Sequence, residues 1–385
     1  MKITRASFLA ISVIATGVAA LAACGGGGGG GGGMSGGYGG GSSSSSSSST
    51  ATSAYATRAL VTDIGGGGLY GNGAHSDTHL VNAWGLVFNP TGYSWIANNG
   101  TDTSTLYDGN GVAQSLVVSI PAGAAGGAAP TGIVYNGAGV FNVTKSGLTG
   151  ASAFIFAGEA GTISGWSPTV DMNNAVTVYD GNSTHTVYKG LALSTGGTTR
   201  LYAADFHNNK IDVFDISFTK ITVTGGFTDP TLPAGYGPFN IQQIGGQLYV
   251  SYAKHTTGSD DETDGAGLGL VDIFDTNGTL VKHLVAAGGS LNAPWGMVMA
   301  PANFGTFSND LLVGNFGDGK INVYDPTTGA MLGTLSNSTG TPIVIDGLWA
   351  LVFGNGLNSQ PTNTLFYTAG PGGETHGLYG RIDWQ

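Results

Sequence analysis

Residues 189–215 read KGLALSTGGTTRLYAADFHNNKIDVFD and carry the pattern that decides the fold. Three short apolar segments, at 189–192, at 201–204 and a third ending in Phe214-Asp215, are separated by turns rich in Gly, Thr and Asn. Short apolar segments punctuated by turn residues are typical of β-strands joined by hairpins. The stretch therefore predicts part of one antiparallel sheet.

The same pattern recurs along the chain. Copies of the first segment begin at Trp84, Thr131, Lys189, Phe239, Trp295 and Trp349, so successive starts lie 47, 58, 50, 56 and 54 residues apart. Copies of the second segment lie at 93–97, 153–157, 201–204, 248–252, 311–314 and 364–368. A period near 50 residues without a helical pattern predicts one four-stranded propeller blade per unit.

The composition agrees with an all-β chain. Of 385 residues 70 are Gly, 9% are charged and 41% are hydrophobic, which argues against both a disordered chain and a helical bundle. Among the acidic residues only Glu159, Glu262 and Glu374 are Glu, and the rest are Asp, which favours turns. The net charge of −11 excludes nucleic acid as an expected partner, because no basic surface is available for phosphates.

The ends of the repeat region predict how the ring closes. The last unit supplies three strands, at 348–353, 365–368 and 378–382, whereas the strand at 57–64 precedes the first unit. Pairing this strand with the last unit removes the open sheet edges. The chain is thus predicted to be a six-bladed β-propeller over residues 55–385, closed by an N-terminal strand. Small residues at the start of the inner strands should let the blades converge, and their Trp neighbours should pack between blades rather than stack on a ligand.

The N-terminus predicts export and a lipid anchor. Lys2 and Arg5 precede an apolar run at 6–20, which ends in LAAC at 21–24 and resembles the lipobox of bacterial lipoproteins. Residues 1–23 are read as the signal peptide, Cys24 as the lipidated residue, and residues 24–54 as a disordered Gly/Ser tether. Cys24 is the only Cys in the chain, although an ordinary cleavage site with an incidental Cys remains open. We expect an extracytoplasmic, monomeric lipoprotein held at the outer membrane or cell surface.

Several segments resemble a family of uncharacterised exported bacterial propeller proteins, and more loosely six-bladed propellers of the NHL-repeat type. The resemblance covers roughly residues 57–383 and implies the fold, but no assigned activity. The segments are LVNAWGL at 80–86, ADFHNNKIDVFD at 204–215, GAGLGLVDIFD at 265–275, LVGNFGDGKINVY at 312–324 and AGPGGETHGLYG at 369–380.

Candidate functional residues collect in one set of loops. All three Glu and five of the seven His lie on or near one rim, in or beside the loops between second and third strands or between blades. His185 is placed outside this rim. Within it, Asn98, Asp205 and Asn315 each stand ten residues before an aromatic-Asp aspartate. Their oxygens would suit a hard cation such as Ca²⁺, or they form Asx-turns that hold each hairpin.

Two His–acid pairs complete the candidate site. His207 lies two residues from Asp205, and Glu374 lies two residues from His376, so either His would serve as a general base or a metal ligand. These spacings form no established catalytic motif, and whether the protein is an enzyme stays open. The sequence favours a binding or scaffold module for a small polar ligand, a cation or an envelope protein. A metal-dependent hydrolase or lactonase that uses the polar rim is the alternative.

Overall fold

The computed structural model describes residues 54–65 and 75–385, so the predicted signal peptide, Cys24 and nearly all of the tether lie outside the described residues. Six of the sheets in the described chain are arranged as blades around a central channel, which confirms the six-bladed β-propeller. No helix in this part of the chain is long and apolar enough to cross a membrane.

Each blade is an antiparallel sheet whose first strand lies innermost. Blade 1 comprises β3 (Ala83–Phe88), β4 (Ser94–Asn98), β5 (Thr103–Tyr107) and β6 (Ala113–Ser119). Blade 2 comprises β7 (Pro130–Tyr135), β10 (Phe154–Gly158), β11 (Thr162–Trp166) and β12 (Val176–Asp180). Blade 3 comprises β13 (Tyr188–Ser194), β14 (Arg200–Asp205), β15 (Lys210–Phe214) and β16 (Lys220–Ile221). Blade 4 comprises β17 (Tyr236–Ile244), β18 (Gln247–Lys254), β19 (Gly269–Phe274) and β20 (Leu280–Val285). Blade 5 comprises β21 (Pro294–Met299), β22 (Leu311–Asn315), β23 (Ile321–Tyr324) and β24 (Met331–Thr334).

Blade 6 is closed by the N-terminal strand, as predicted. It combines β25 (Leu348–Phe353), β26 (Leu365–Ala369) and β27 (Leu378–Trp384) with β1 (Tyr55–Thr62), and the short β2 (His75–Ser76) adds a parallel fifth strand. The register of β1 against β27 runs from Tyr55 opposite Trp384 to Thr62 opposite Leu378. This pairing satisfies the edge that would otherwise end the sheet.

One insertion explains the longest repeat spacing. Between β7 and β10 the chain forms an extra hairpin, β8 (Asn142–Lys145) and β9 (Leu148–Ala151), which the repeat pattern did not predict. Among the described residues, the connections contain three short 3₁₀ helices, Asn99–Thr101, Asn182–Thr184 and Gly305–Phe307.

The small residues of the inner strands do let the blades converge. A Cβ added at Gly85 would lie 2.3 Å from the carbonyl oxygen of Thr131 in the next blade, and one at Gly296 would lie 2.5 Å from that of Trp349. Real Cβ atoms do not approach a backbone oxygen this closely, so these positions require Gly.

Candidate functional site

The antiparallel sheets place two kinds of connection on one side of the ring. Connections from second to third strands, and those from one blade to the next, all begin or end beside the start of an inner strand. We call this side the upper rim, and the channel opening within it the upper mouth. The opposite opening, at the ends of the inner strands, is the lower mouth.

Aromatic rings close the channel beneath the upper mouth. Trp84 stacks on Trp349 with ring centroids 3.6 Å apart, and Trp295 meets both rings edge-on at 6.3 and 6.1 Å. Phe316 stacks on Trp349 at 4.1 Å. These Trp side chains pack against one another across the channel, and we call this group, with Phe206 and Phe239, the aromatic floor.

Lys189 lies on the aromatic floor. Its side chain is 1% exposed, and its Nζ lies 5.3 Å from the centre of the Trp84 ring. The ammonium forms an ion pair with Glu159 and lies 3.8 Å from Asp261 Oδ1. Burial alone would lower the pKa of Lys189, but the carboxylates of Glu159, Glu262 and Asp261 raise it above its ordinary value. Lys189 is therefore a permanent buried cation.

A chain of side-chain hydrogen bonds joins two Glu residues around this cation. Asn99 Nδ2 donates to Glu159 Oε2 at 2.9 Å, and Asn82 Nδ2 donates to Asn99 Oδ1 at 3.2 Å and to Glu374 Oε2 at 3.0 Å. Trp349 Nε1 fixes the Asn82 side chain by donating to Oδ1 at 2.9 Å. The backbone of Glu374 itself has a φ of +66°, a conformation that L-residues rarely adopt. The upper mouth is thus organised by contacts between several blades.

Glu262 is the third Glu residue of the upper mouth. Burial raises its pKa to about 7, although the Lys189 ammonium lowers it, and the negative charge of Glu374 raises it further. Lys189 is thus paired with Glu159 and influenced by the charge of Glu262, which is in turn influenced by Glu374.

Three buried polar atoms at this mouth have no hydrogen-bond partner among the described residues: Trp84 Nε1, His255 Nδ1 and Glu262 Oε2. The Trp84 ring lies under Lys189, and the His255 ring packs 4.7 Å from Phe206 of the aromatic floor. Residues His255 and Glu262 pair through a β-bridge. A buried polar atom without a hydrogen-bond partner lowers the stability of the folded protein. A group of such atoms therefore indicates a site in which a bound molecule supplies the missing hydrogen bonds.

The predicted His residues have carboxylate partners on the same rim. His207 Nδ1 lies 2.6 Å from Asp260 Oδ1, and His376 Nδ1 lies 2.9 Å from Asp63 Oδ2. His185 also lies here, in the connection between blades 2 and 3, so its placement outside the rim was wrong. Its Nε2 lies 3.1 Å from Asp260 Oδ2.

His185, His207 and Asp260 have the composition of a metal site but not its geometry. Their ligand atoms lie within 4.8 Å of one another. The two imidazoles, however, are stacked at 4.0 Å with planes 5° from parallel. A nitrogen lone pair lies in the plane of its ring, so one metal ion cannot bind two parallel stacked rings well. The pair is arranged as two hydrogen-bond partners of one carboxylate.

The three repeated side chains before the aromatic-Asp pairs do not meet at one point. Asn98 donates to Thr103 and Thr105 of its own hairpin at 3.1 and 3.0 Å. Asp205 accepts from Asn208 and pairs with Lys210 Nζ at 3.0 Å.

Asn315 is held in the same way, since it donates to Ser290 O at 2.9 Å and to Asp318 at 3.0 Å. All three side chains thus make the contacts of the turn interpretation, and their role with Ca²⁺ stays a prediction.

Sequence reasoning missed Lys189, although the repeats contain its signal. The six inner strands present Trp84, Thr131, Lys189, Phe239, Trp295 and Trp349 at one register position. A Lys among mostly aromatic residues at the position nearest the axis marks it as unusual. Its partners could not be read from the repeats, because they come from connections of different length.

Comparison with known proteins identifies relatives but no activity. No family model matches the chain. Protein R648 of Acanthamoeba polyphaga mimivirus, described as uncharacterised, is 37% identical over 318 residues, which cover 80% of this chain and 76% of that protein. The uncharacterised protein L690 of the same virus is 34% identical over 318 residues, covering 80% of this chain and 82% of that protein. This chain belongs to the R648 and L690 family. These relatives are viral, so the bacterial source implied by the sequence resemblance is not supported.

For this member of the R648 and L690 family, comparison with solved structures supports the fold and says nothing about activity. A structural genomics protein of unknown function from Bacteroides thetaiotaomicron aligns with a TM-score of 0.52 and 10% identity. The alignment covers 87% of this chain and 76% of that one.

Proposed function

We propose that this protein is a binding module that takes a small polar ligand with a cationic group at the upper mouth. The observation that carries the proposal is the set of three unpartnered buried atoms, Trp84 Nε1, His255 Nδ1 and Glu262 Oε2, beside an excess of carboxylates. A ligand that both donates and accepts hydrogen bonds would satisfy them.

The charge balance favours a cation. Lys189 is the buried cation of the mouth, whereas the carboxyl groups of Glu159, Asp261 and Glu262 act on it and that of Glu374 acts on Glu262. Apolar surroundings of low dielectric constant strengthen the electric field of these carboxyl groups, and the aromatic floor provides such surroundings. A ligand ammonium beside Glu262 would offset the excess, and hydroxyl groups would pair with the remaining polar atoms.

The test is a matched pair of probes that differ in charge. We expect glucosamine to bind by isothermal titration calorimetry and to raise the melting temperature, because it carries an ammonium among hydroxyl groups. Glucose has the same ring with a hydroxyl in place of the ammonium and should bind at least about tenfold more weakly, which corresponds to about 1.4 kcal/mol. Equal affinity for the two sugars, or tighter binding of the neutral one, would contradict the cationic preference.

The alternative function, a metal-dependent hydrolase or lactonase, has His185, His207 and Asp260 as its best candidate ligands. The parallel stacking of the two rings gives it little support in this conformation. A transition metal that stabilises the protein through His207, with turnover of a simple lactone, would favour this alternative.

We further propose that the domain is tethered outside the cytoplasm through a lipid on Cys24. Support comes from the lipobox-like LAAC sequence and the Gly/Ser stretch that follows it. Firm membrane retention needs more than one acyl chain, and a lipidated Cys24 would carry these chains. Replacing Cys24 with Ser should therefore move the protein from the membrane fraction to the soluble fraction. Unchanged fractionation would reject the anchor.

A further inference from the structure

Blades 3 and 4 carry the same buried Asp with different surroundings. Asp212 lies in IDVFD at 211–215 and Asp272 in VDIFD at 271–275, and both are nearly inaccessible to solvent. A carboxylate buried at this depth needs opposite charge or several hydrogen bonds. The two blades meet this need differently.

In blade 3 the carboxylate is fully paired. Lys210 Nζ lies 2.6 Å from Asp212 Oδ1, Lys220 Nζ lies 2.7 Å from Oδ2, and the Tyr188 hydroxyl donates to Oδ2 at 2.8 Å. Two cations and one neutral donor therefore surround one anion.

In blade 4 all three of these partners are replaced by apolar residues. The repeat places Pro238 where blade 3 has Tyr188, and Leu270 where it has Lys210. The strand register places Leu280 opposite Phe274, as Lys220 lies opposite Phe214.

A different set of side chains surrounds Asp272. His283 Nδ1 lies 3.1 Å from Asp272 Oδ1, and His283 Nε2 lies 3.5 Å from Asp229 Oδ1. Asp272 Oδ2 is buried and has no hydrogen-bond partner among the described residues. Blade 3 has two carboxylates, Asp205 and Asp212, with two lysines, whereas blade 4 has two carboxylates with one imidazole.

We propose that Asp229, Asp272 and His283 bind a divalent transition-metal ion. Each residue offers one ligand atom, and these atoms lie within 4.8 Å of one another. One imidazole with two carboxylates suits Zn²⁺ and its neighbours better than Ca²⁺ or Mg²⁺, which prefer oxygen ligands alone. The ion would supply the positive charge that the two lysines supply in blade 3.

Two further contacts fit this role. The hydroxyl of Thr231 lies 3.1 Å from His283 Nε2 and donates to Asp229 Oδ1 at 2.9 Å, so it orients both side chains as outer contacts of metal ligands commonly do.

The experiment titrates Zn²⁺ into the full chain by calorimetry, in the background His185→Gln/His207→Gln to remove the imidazole pair of the upper rim. We expect one Zn²⁺ per chain and a raised melting temperature. Asp272→Asn, which keeps the shape of the side chain, should weaken binding by about 100-fold or more. His283→Gln should do the same, whereas Asp212→Asn in blade 3 should leave Zn²⁺ affinity unchanged.

Circular dichroism would verify that each variant is folded before titration. The proposal is overturned if Zn²⁺ does not bind, or if it binds Asp272→Asn as tightly as the parent chain. It is also overturned if Asp272→Asn raises the melting temperature and Zn²⁺ leaves that of the parent unchanged, because the carboxyls then only share a proton. None of these outcomes bears on the upper mouth, so the two proposals fail separately.

Discussion

The two mouths of the channel are built by the same six inner strands yet have opposite chemistry. The upper mouth brings together Lys189, the three Glu residues and Asp261 over the aromatic floor. The lower mouth opens into a cavity of about 450 Å³. Its lining is largely apolar and includes Leu86, Phe88, Ile133, Leu191, Leu193 and Gln242.

The difference follows from where the chain places its few charged residues. The ends of the inner strands supply mainly aliphatic side chains to the lower mouth. The connections of the upper rim supply carboxylates, and a single inner-strand residue, Lys189, meets them. The same inner strands therefore form both openings, and the charged side chains that can recognise a charged ligand lie at the upper one.

Replacing Lys189 with Met should have the largest effect. It keeps the buried stem but leaves several carboxylates without their cation, and breaking a buried pair costs about 3–5 kcal/mol. Urea denaturation at pH 7 would measure the loss, which should shrink at pH 5 because Glu262, whose pKa is about 7, is then protonated. The matched change at the lower mouth, Leu193→Met, should cost less than about 1.5 kcal/mol. Equal costs at the two mouths would remove the contrast between them.

Replacing Glu262 with Gln should stabilise the protein at pH 8. The folded-state pKa of about 7 lies above the ordinary value of 4.5, so the wild type loses stability as the pH rises through this interval. The variant escapes this loss and should gain about 2 kcal/mol at pH 8 and nothing at pH 4, allowing for the partial exposure of the residue. Thermal melts of both proteins across this range would measure the difference. A gain that does not depend on pH would indicate repacking rather than relief of a buried charge.

Replacing Asn315 with Ala should have the smallest effect, of about 1 kcal/mol. This side chain donates to Ser290 O in the connection between blades 4 and 5 and to Asp318 in the turn between β22 and β23. Its loss should lower the melting temperature slightly and leave glucosamine affinity unchanged. Weakened binding without a change in stability would instead return Asn315 to the ligand site that the sequence suggested.

The sequence predicted most of the fold because each blade repeats the same local pattern. The inner strands, the second strands and the closing pairing of β1 with β27 follow from spacing and unpaired edges. The hairpin β8–β9 was missed, since an insertion inside one connection only lengthens the period.

The site was predicted less completely, for a physical reason. The upper rim could be identified because loop position follows from strand order. Which side chains meet there depends on how blades face one another across the axis, and so Lys189 and His185 were not recognised. Asn98, Asp205 and Asn315 share a position in the repeat, but that position faces their own hairpins and, for Asp205 and Asn315, the connection that precedes the blade.

The most direct test of the account compares glucosamine binding to the wild type and to Glu262→Gln/Glu374→Gln by isothermal titration calorimetry. The control is Asp310→Asn, which removes one charge from the hairpin between β21 and β22 on the lower side of the ring. We predict that the double variant binds at least about tenfold more weakly, which is about 1.4 kcal/mol, while the control binds like the wild type. Equal binding by all three folded proteins would contradict the claim that the upper mouth is the binding site.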